Sequence, residues 1–129
     1  MAESQQPLLA PRRPYHGSCH CGHIRYIAYI TVPTTPTGED SETQTRFYKC
    51  NCTTCYKMGF FHMRLADPAN DFFVLSPLDV TSPTEMGDYL CCRRRVHWYF
   101  CPKCAVRCFS TEGCWKTDEV DLSDVRLPG

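Results

Sequence analysis

Cys19-His20-Cys21-Gly22-His23-Ile24-Arg25-Tyr26-Ile27-Ala28-Tyr29-Ile30-Thr31-Val32 runs from a cysteine pair straight into a series of β-branched and aromatic residues. The series has the composition of a largely buried strand, and its start sits on the cysteines. The same junction recurs further along. Thr45-Arg46-Phe47-Tyr48-Lys49 predicts a short strand that delivers Cys50, and Val96-His97-Trp98-Tyr99-Phe100 one that delivers Cys101. Phe60-Phe61-His62-Met63-Arg64-Leu65 and Phe72-Phe73-Val74-Leu75 are further strand candidates, with Asp67-Pro68 and Ser76-Pro77 as turns. Thr53 to Met58 has room for about one helical turn, and Asp118-Glu119-Val120-Asp121-Leu122 for a terminal strand. Short strands, ten prolines and no long helical period predict a mainly β fold with little helix.

Seven of the eleven cysteines fall in three clusters: Cys19 and Cys21; Cys50, Cys52 and Cys55; Cys101 and Cys104. Tetrahedral zinc takes four ligands, so two pairs and a trio imply one complete site and one that is a ligand short. Spacing alone does not decide which pairs share an ion. Because Cys50, Cys52 and Cys55 supply three ligands locally, the natural partition gives Cys19, Cys21, Cys101 and Cys104 the closed site. Gly17 and Gly22 flank the first pair, which suits a turn wrapped closely around an ion. Zinc is preferred over a disulfide framework because the cysteine count is odd and Cys-x-Cys and Cys-x-x-Cys spacings suit one ion better than distant bridges. A redox Cys-x-x-Cys expects a βαβ context that this chain lacks.

The length of 129 residues fits one domain, expected over residues 15–123, with a proline-rich leader at 1–14 and a tail at 124–129. Residues 33–44 read as a polar, proline-studded loop or insertion. No apolar segment follows Met1 and no run reaches the ~18 residues of a membrane span, so a cytoplasmic protein is expected. Fourteen basic and fourteen acidic residues balance. Thiolates around divalent zinc would add net negative charge, so there is no bulk electrostatic reason to expect nucleic acid as a partner.

Gly17-Ser18-Cys19-His20-Cys21-Gly22-His23-Ile24-Arg25-Tyr26, Cys50-Asn51-Cys52-Thr53-Thr54-Cys55 and Phe100-Cys101-Pro102-Lys103-Cys104 together resemble the glutathione-dependent formaldehyde-activating enzyme family, which includes centromere protein V relatives. The resemblance spans roughly residues 15–123. It implies an Mss4-like β-rich fold and two zinc ions, structural on Cys19, Cys21, Cys101 and Cys104, catalytic on Cys50, Cys52 and Cys55. It also implies carbon-sulfur lyase chemistry with glutathione as co-substrate. Many relatives carry Cys-Gly-Thr where this chain reads Cys104-Ala105-Val106.

Zinc already held by three thiolates is a mild Lewis acid, better suited to a sulfur anion than to making hydroxide. The expected partner is therefore a thiol such as glutathione, or its adduct with a small electrophile. Arg46, Lys49, Lys57 and Arg64 flank the trio and are the candidate cofactor-binding cations; Lys57 and Arg64 suit glutathione's carboxylates. His62 and Lys57 are the candidate catalytic residues, with His62 as the acid-base group. His20 and His23 are expected to serve turn structure, Tyr48 strand packing and Thr54 turn capping. Cys91, Cys92, Cys108 and Cys114 are expected to be small buried apolar groups, and Arg93-Arg94-Arg95 a solvated turn or strand edge. The competing class is a non-catalytic zinc module that binds a protein or chromatin.

Overall fold

The computed structural model describes residues 12–32, 45–113, 115, 119–121 and 125. Strand makes up 42% of them and helix 11%, so the fold is mainly β. In chain order the elements are β1 (Arg12–Ser18), β2 (Arg25–Thr31), β3 (Arg46–Tyr48), α1 (Thr53–Met58), β4 (His62–Arg64), α2 (Pro68–Asp71), β5 (Phe72–Ser76), β6 (Gly87–Cys91), β7 (Val96–Phe100) and β8 (Arg107–Thr111). They form small sheets of order β1-β2-β5, β3-β4 and β6-β7-β8. Two compact units result, Met1–Tyr15 with Ala28–Phe72, and His16–Ile27 with Phe73–Gly129.

In the first unit β3 and β4 pair antiparallel, with Arg46 opposite Arg64, Phe47 opposite Met63 and Tyr48 opposite His62. Side chains alternate along a strand, so Arg46, Tyr48, His62 and Arg64 share one face of this ribbon and Phe47 and Met63 the other. Thr31 and Thr45 are tied by two bonds: the Thr45 amide donates to the Thr31 carbonyl (3.1 Å) and the Thr31 amide to Thr45 Oγ1 (2.9 Å). These bonds close the ends of the 33–44 segment, which itself lies outside the described residues.

The second unit is built around a buried cluster of Cys19, Ile24, Val80, Met86, Tyr99 and Cys101, with Tyr26, Val74, Cys104, Cys108, Phe109 and Trp115 packed against it. Tyr99, Phe109 and Trp115 meet pairwise with ring centroids 5.4–5.9 Å apart, and the Trp115 indole donates to the Tyr99 hydroxyl (2.9 Å). Cysteine sulfurs are therefore part of this core. At Gly17 the Tyr26 ring occupies the space that a Cβ would need, so the strand entering the first cysteine pair requires glycine there.

Several elements depart from the sequence expectation. β1 starts at Arg12, inside the stretch read as a leader, because the Arg12 guanidinium finds partners far along the chain. It stacks over the Tyr29 ring at 3.9 Å, donates to Asp71 Oδ1 (2.8 Å) and to the Asn70 carbonyl (2.9 Å). β6 and β8 are strands that sequence alone does not announce; Gly87-Asp88-Tyr89-Leu90-Cys91 and Arg107-Cys108-Phe109-Ser110-Thr111 become strands by pairing with the two edges of β7. Asp67-Pro68, read as a turn, opens a single helical turn over Pro68–Asp71, in which the buried Asp71 carboxylate accepts from the Asp67 amide (3.0 Å). Of the terminal strand expected over 118–122, residues 118 and 122 lie outside the described residues, and 119–121 carry no strand.

Arg12→Ala leaves the Asp71 carboxylate, only 3% exposed, without its charged donor. Arg12 is itself half-exposed, which moderates the loss, so destabilisation of about 1–2 kcal/mol is expected in urea unfolding. Arg12→Lys, which keeps the charge but not the fork or the stacking, should recover only part of it.

Candidate functional site

Two sets of cysteines come together. Cys19, Cys21, Cys101 and Cys104 form one, Cys50, Cys52 and Cys55 the other, and within each set the sulfurs lie within 4.8 Å of one another. The ten described cysteines form no disulfide.

The four-cysteine set is assembled by two turns of similar design. In the first, the Cys19 amide bonds the Ile24 carbonyl (3.1 Å), Gly22 takes φ 85°, and the Ile24 amide donates to Cys19 Sγ (3.2 Å). In the second, the Ala105 amide bonds the Cys101 carbonyl (2.8 Å), the Cys101 amide bonds the Val106 carbonyl (3.0 Å), and the amides of Lys103 and Cys104 donate to Cys101 Sγ (3.3 and 3.4 Å). Ala105 adopts φ 66°, a left-handed conformation that costs a non-glycine residue about 1 kcal/mol or more. The second turn thus keeps its shape without the glycine that Gly22 supplies to the first.

Four sulfurs each about 2.3 Å from a central zinc stand about 3.8 Å apart along every edge of the tetrahedron. Cys19 and Cys21 Sγ are 3.7 Å apart, Cys21 and Cys101 Sγ 3.6 Å, which fits such an ion. The donor set is chemically suited as well, since amides pointing at sulfur favour the thiolate that a metal needs. The Val106 and Cys21 amides, aided by the Cys101 and Cys19 sulfurs, hold the Cys104 thiol down at about 6. Burial raises Cys19, yet the Ile24 amide and the sulfurs of Cys21 and Cys101 leave it below its ordinary value. The His23 amide pulls Cys21 down, but burial and the three neighbouring sulfurs push it up to about 11. Negative charge crowds here, and some sulfurs keep their protons only because others have lost theirs.

The three-cysteine set is local. Cys52 precedes α1, Cys55 is buried within it, and Gly59 ends it in a left-handed conformation, its amide bonding the Cys55 carbonyl (3.0 Å). The Cys52 amide donates to Cys50 Sγ at 3.5 Å. The Cys55 amide and the neighbouring sulfurs lower the Cys52 thiol, whereas burial and those same sulfurs push Cys55 up to about 12. Among the described residues no fourth histidine, cysteine or carboxylate joins these three; Cys114 lies outside them.

Neither set contains a histidine. His23 Nε2 lies 2.7 Å from the Glu85 carbonyl oxygen, and the His23 carbonyl accepts from Ser76 Oγ (2.8 Å). His20 is exposed. His62 is half-buried at the start of β4, stacked on Tyr48 with centroids 5.3 Å apart and tilted against Phe60 at 5.1 Å. Arg46, Lys49, Lys57 and Arg64 are all exposed; Arg46 and Arg64 face each other across the ribbon, and Lys57 lies in the last turn of α1. Cys92 is exposed, which corrects the expectation of a buried apolar group. Cys91 is half-buried, and among the described cysteines of this group only Cys108 packs on the core, where burial raises its thiol to about 12.

One arrangement carries no signal in the sequence. His97 Nδ1 lies 2.7 and 3.0 Å from the two carboxylate oxygens of Asp88, on adjacent strands of the β6-β7 hairpin, and both line a cavity of about 690 Å³ walled by Val80, Met86, Tyr99 and Trp115. The pair depends on strand register, which no motif encodes.

No helix among the described residues is long and apolar enough to cross a membrane. Comparison with family models, with curated proteins and with solved structures returns no match.

In the metal-free protein, Cys104 should ionise as pH rises through about 6 while Cys21 stays protonated to about 11. An early step in thiolate ultraviolet absorbance, removed by Cys104→Ser, is the expected result. Any bound metal competes with these protons, so it should be held less tightly as pH falls.

Proposed function

We propose that this chain is a zinc-dependent carbon-sulfur lyase-type enzyme of the glutathione-dependent formaldehyde-activating type, forming or cleaving an adduct between glutathione or a similar thiol and a small electrophile. The observation that supports it is the inequality of the two cysteine sets, four sulfurs in one and three in the other. Cys19, Cys21, Cys101 and Cys104 would hold a structural zinc; the burial of Cys19 and Cys101 in the core of the second unit, with Cys104 packed against it, suits a stabilising role. Cys50, Cys52 and Cys55 would hold the catalytic one. Zinc bound there would supply mild Lewis acidity and a preference for a sulfur anion as the remaining ligand.

The chain's own residues supply the rest. Arg46 and Arg64, opposed on one face of the β3-β4 ribbon, form a pair of like charges that an anionic ligand relieves, which suits glutathione's carboxylates. Lys49, next to Cys50, and Lys57, two residues after Cys55, add positive charge on either side of the trio. When a thiol adds to a carbonyl carbon, a carbon-sulfur bond forms and the carbonyl oxygen takes a proton; cleavage returns both. His62, on the same ribbon face as the two arginines, is the acid-base group assigned to that proton.

A second reading, a non-catalytic zinc module docking a protein, has one observation in its favour. Phe47, Tyr56, Met58, Phe61 and Met63 are all exposed within a short stretch around the trio, Tyr56 and Phe61 by 73% and 77%.

Metal analysis with turnover separates the two. Wild-type protein should carry two zinc ions and form the glutathione-formaldehyde adduct, and glutathione should perturb the spectrum of its cobalt-substituted form. Cys52→Ser should keep its circular dichroism and one tightly held ion but lose turnover. A cobalt spectrum that millimolar glutathione leaves unchanged, together with no turnover in wild type, overturns the enzyme reading.

A further inference from the structure

The β6-β7 hairpin carries a second pair of sulfurs that belongs to neither metal set. β6 ends at Cys91 opposite Val96, the first residue of β7, and residues 92–95 make the turn. Cys92, Arg93 and Arg94 have φ of 54°, 60° and 64°, three successive non-glycine residues in the left-handed region. Each such residue costs about 1 kcal/mol or more, so this turn holds strain that β6-β7 pairing sustains. The Arg95 amide closes it by donating to the carbonyls of Cys91 (3.2 Å) and Cys92 (3.3 Å).

The strained backbone has a chemical consequence. Neighbouring residues in a strand point to opposite faces, which separates their sulfurs. Here the left-handed turn at Cys92 brings the sulfurs of Cys91 and Cys92 within 3.6 Å, with no disulfide between them. Cys92 is exposed and Cys91 half-buried, and the next three residues are exposed arginines. An accessible thiol, a second thiol in contact behind it and a compact cationic surface are what a dithiol needs to react with an anionic disulfide.

We propose that Cys91 and Cys92 are a thiol-disulfide exchange site for anionic low-molecular-weight disulfides of the glutathione disulfide class. The Cys92 thiolate attacks one sulfur of the incoming disulfide; that sulfur-sulfur bond breaks, and the first thiol leaves with the proton that Cys92 gave up. The Cys91 sulfur then attacks the Cys92 sulfur of the mixed disulfide and expels the second thiol, which takes the Cys91 proton. The protein's two thiols are oxidised to one vicinal disulfide and the incoming disulfide is reduced to two thiols. Adjacent Cα atoms stand about 3.8 Å apart across a trans peptide, closer than the roughly 4.4 Å minimum usual for disulfides, so the product is strained and excess thiol reverses it. Arg93, Arg94 and Arg95 draw the carboxylates of the incoming disulfide to the turn. The site is independent of the chemistry proposed at Cys50, Cys52 and Cys55.

The test uses the metal-loaded full chain and glutathione disulfide. Trypsin releases Leu65–Arg93, whose only cysteines are Cys91 and Cys92. After exposure this peptide should have lost two hydrogens and resist alkylation, a dithiol should restore it, and the metal content should not change. Cys91→Ser should stop at a mixed disulfide on Cys92, and Cys92→Ser should react roughly tenfold more slowly. Arg94→Ala with Arg95→Ala should slow the reaction severalfold at low salt with glutathione disulfide but not with neutral hydroxyethyl disulfide. A peptide that stays fully alkylatable, a mixed disulfide that never closes in wild type, or an arginine effect equal for both disulfides overturns the proposal.

Discussion

Four cysteine sulfurs that carry negative charge when ionised are held within 4.8 Å of one another in the second unit, two of them almost completely buried. Packing alone does not favour such a cluster, because thiolates repel and buried thiolates lose hydration. The conflict is visible in the thiols themselves, one held down at about 6 and a neighbour pushed to about 11. A cation at the centre would resolve it by replacing several protons at once. Cys21 and Cys101 are 80 residues apart in sequence, so an ion joining them would be bound only once that long loop has closed, and its binding free energy would stabilise the folded chain.

The surrounding core is arranged to match. Cys19 and Cys101 sit among Ile24, Val80, Met86 and Tyr99, and the strands that reach them, β2 and β7, carry much of the buried apolar surface. Backbone amides rather than side chains solvate the sulfurs: Ile24 on Cys19, Lys103 and Cys104 on Cys101. The three-cysteine set has a different character. It is built by one short helix and its approach, with cationic and aromatic residues exposed around it. The first set reaches into the core of its unit through Cys19 and Cys101, whereas the second is local to α1 and the residues leading into it.

The β6-β7 hairpin shows how a fold creates reactivity with ordinary residues. Nothing about adjacent cysteines makes their sulfurs meet, and a continuing strand would separate them. A left-handed turn, sustained by the pairing of Gly87–Cys91 with Val96–Phe100, puts them on the same side.

Local patterns in the chain were enough to determine its mainly β character, β2, β7, the single turn of α1 and the cysteine knuckles. Each depends on residues close in sequence: β-branched runs make strands, and Cys-x-Cys or Cys-x-x-Cys spacing places two sulfurs on one turn. Tertiary structure decided what depends on distant partners. β1 exists at Arg12 because Tyr29 and Asp71 receive its guanidinium, β6 and β8 because β7 offers two edges, and the Asp88–His97 pair because register places them side by side. Convergence of Cys19 and Cys21 with Cys101 and Cys104 is of the same kind. Spacing made that partition natural, but only long-range folding puts the sulfurs at bonding distance from a common centre, because contacts across 80 residues are set by the packing of the whole unit.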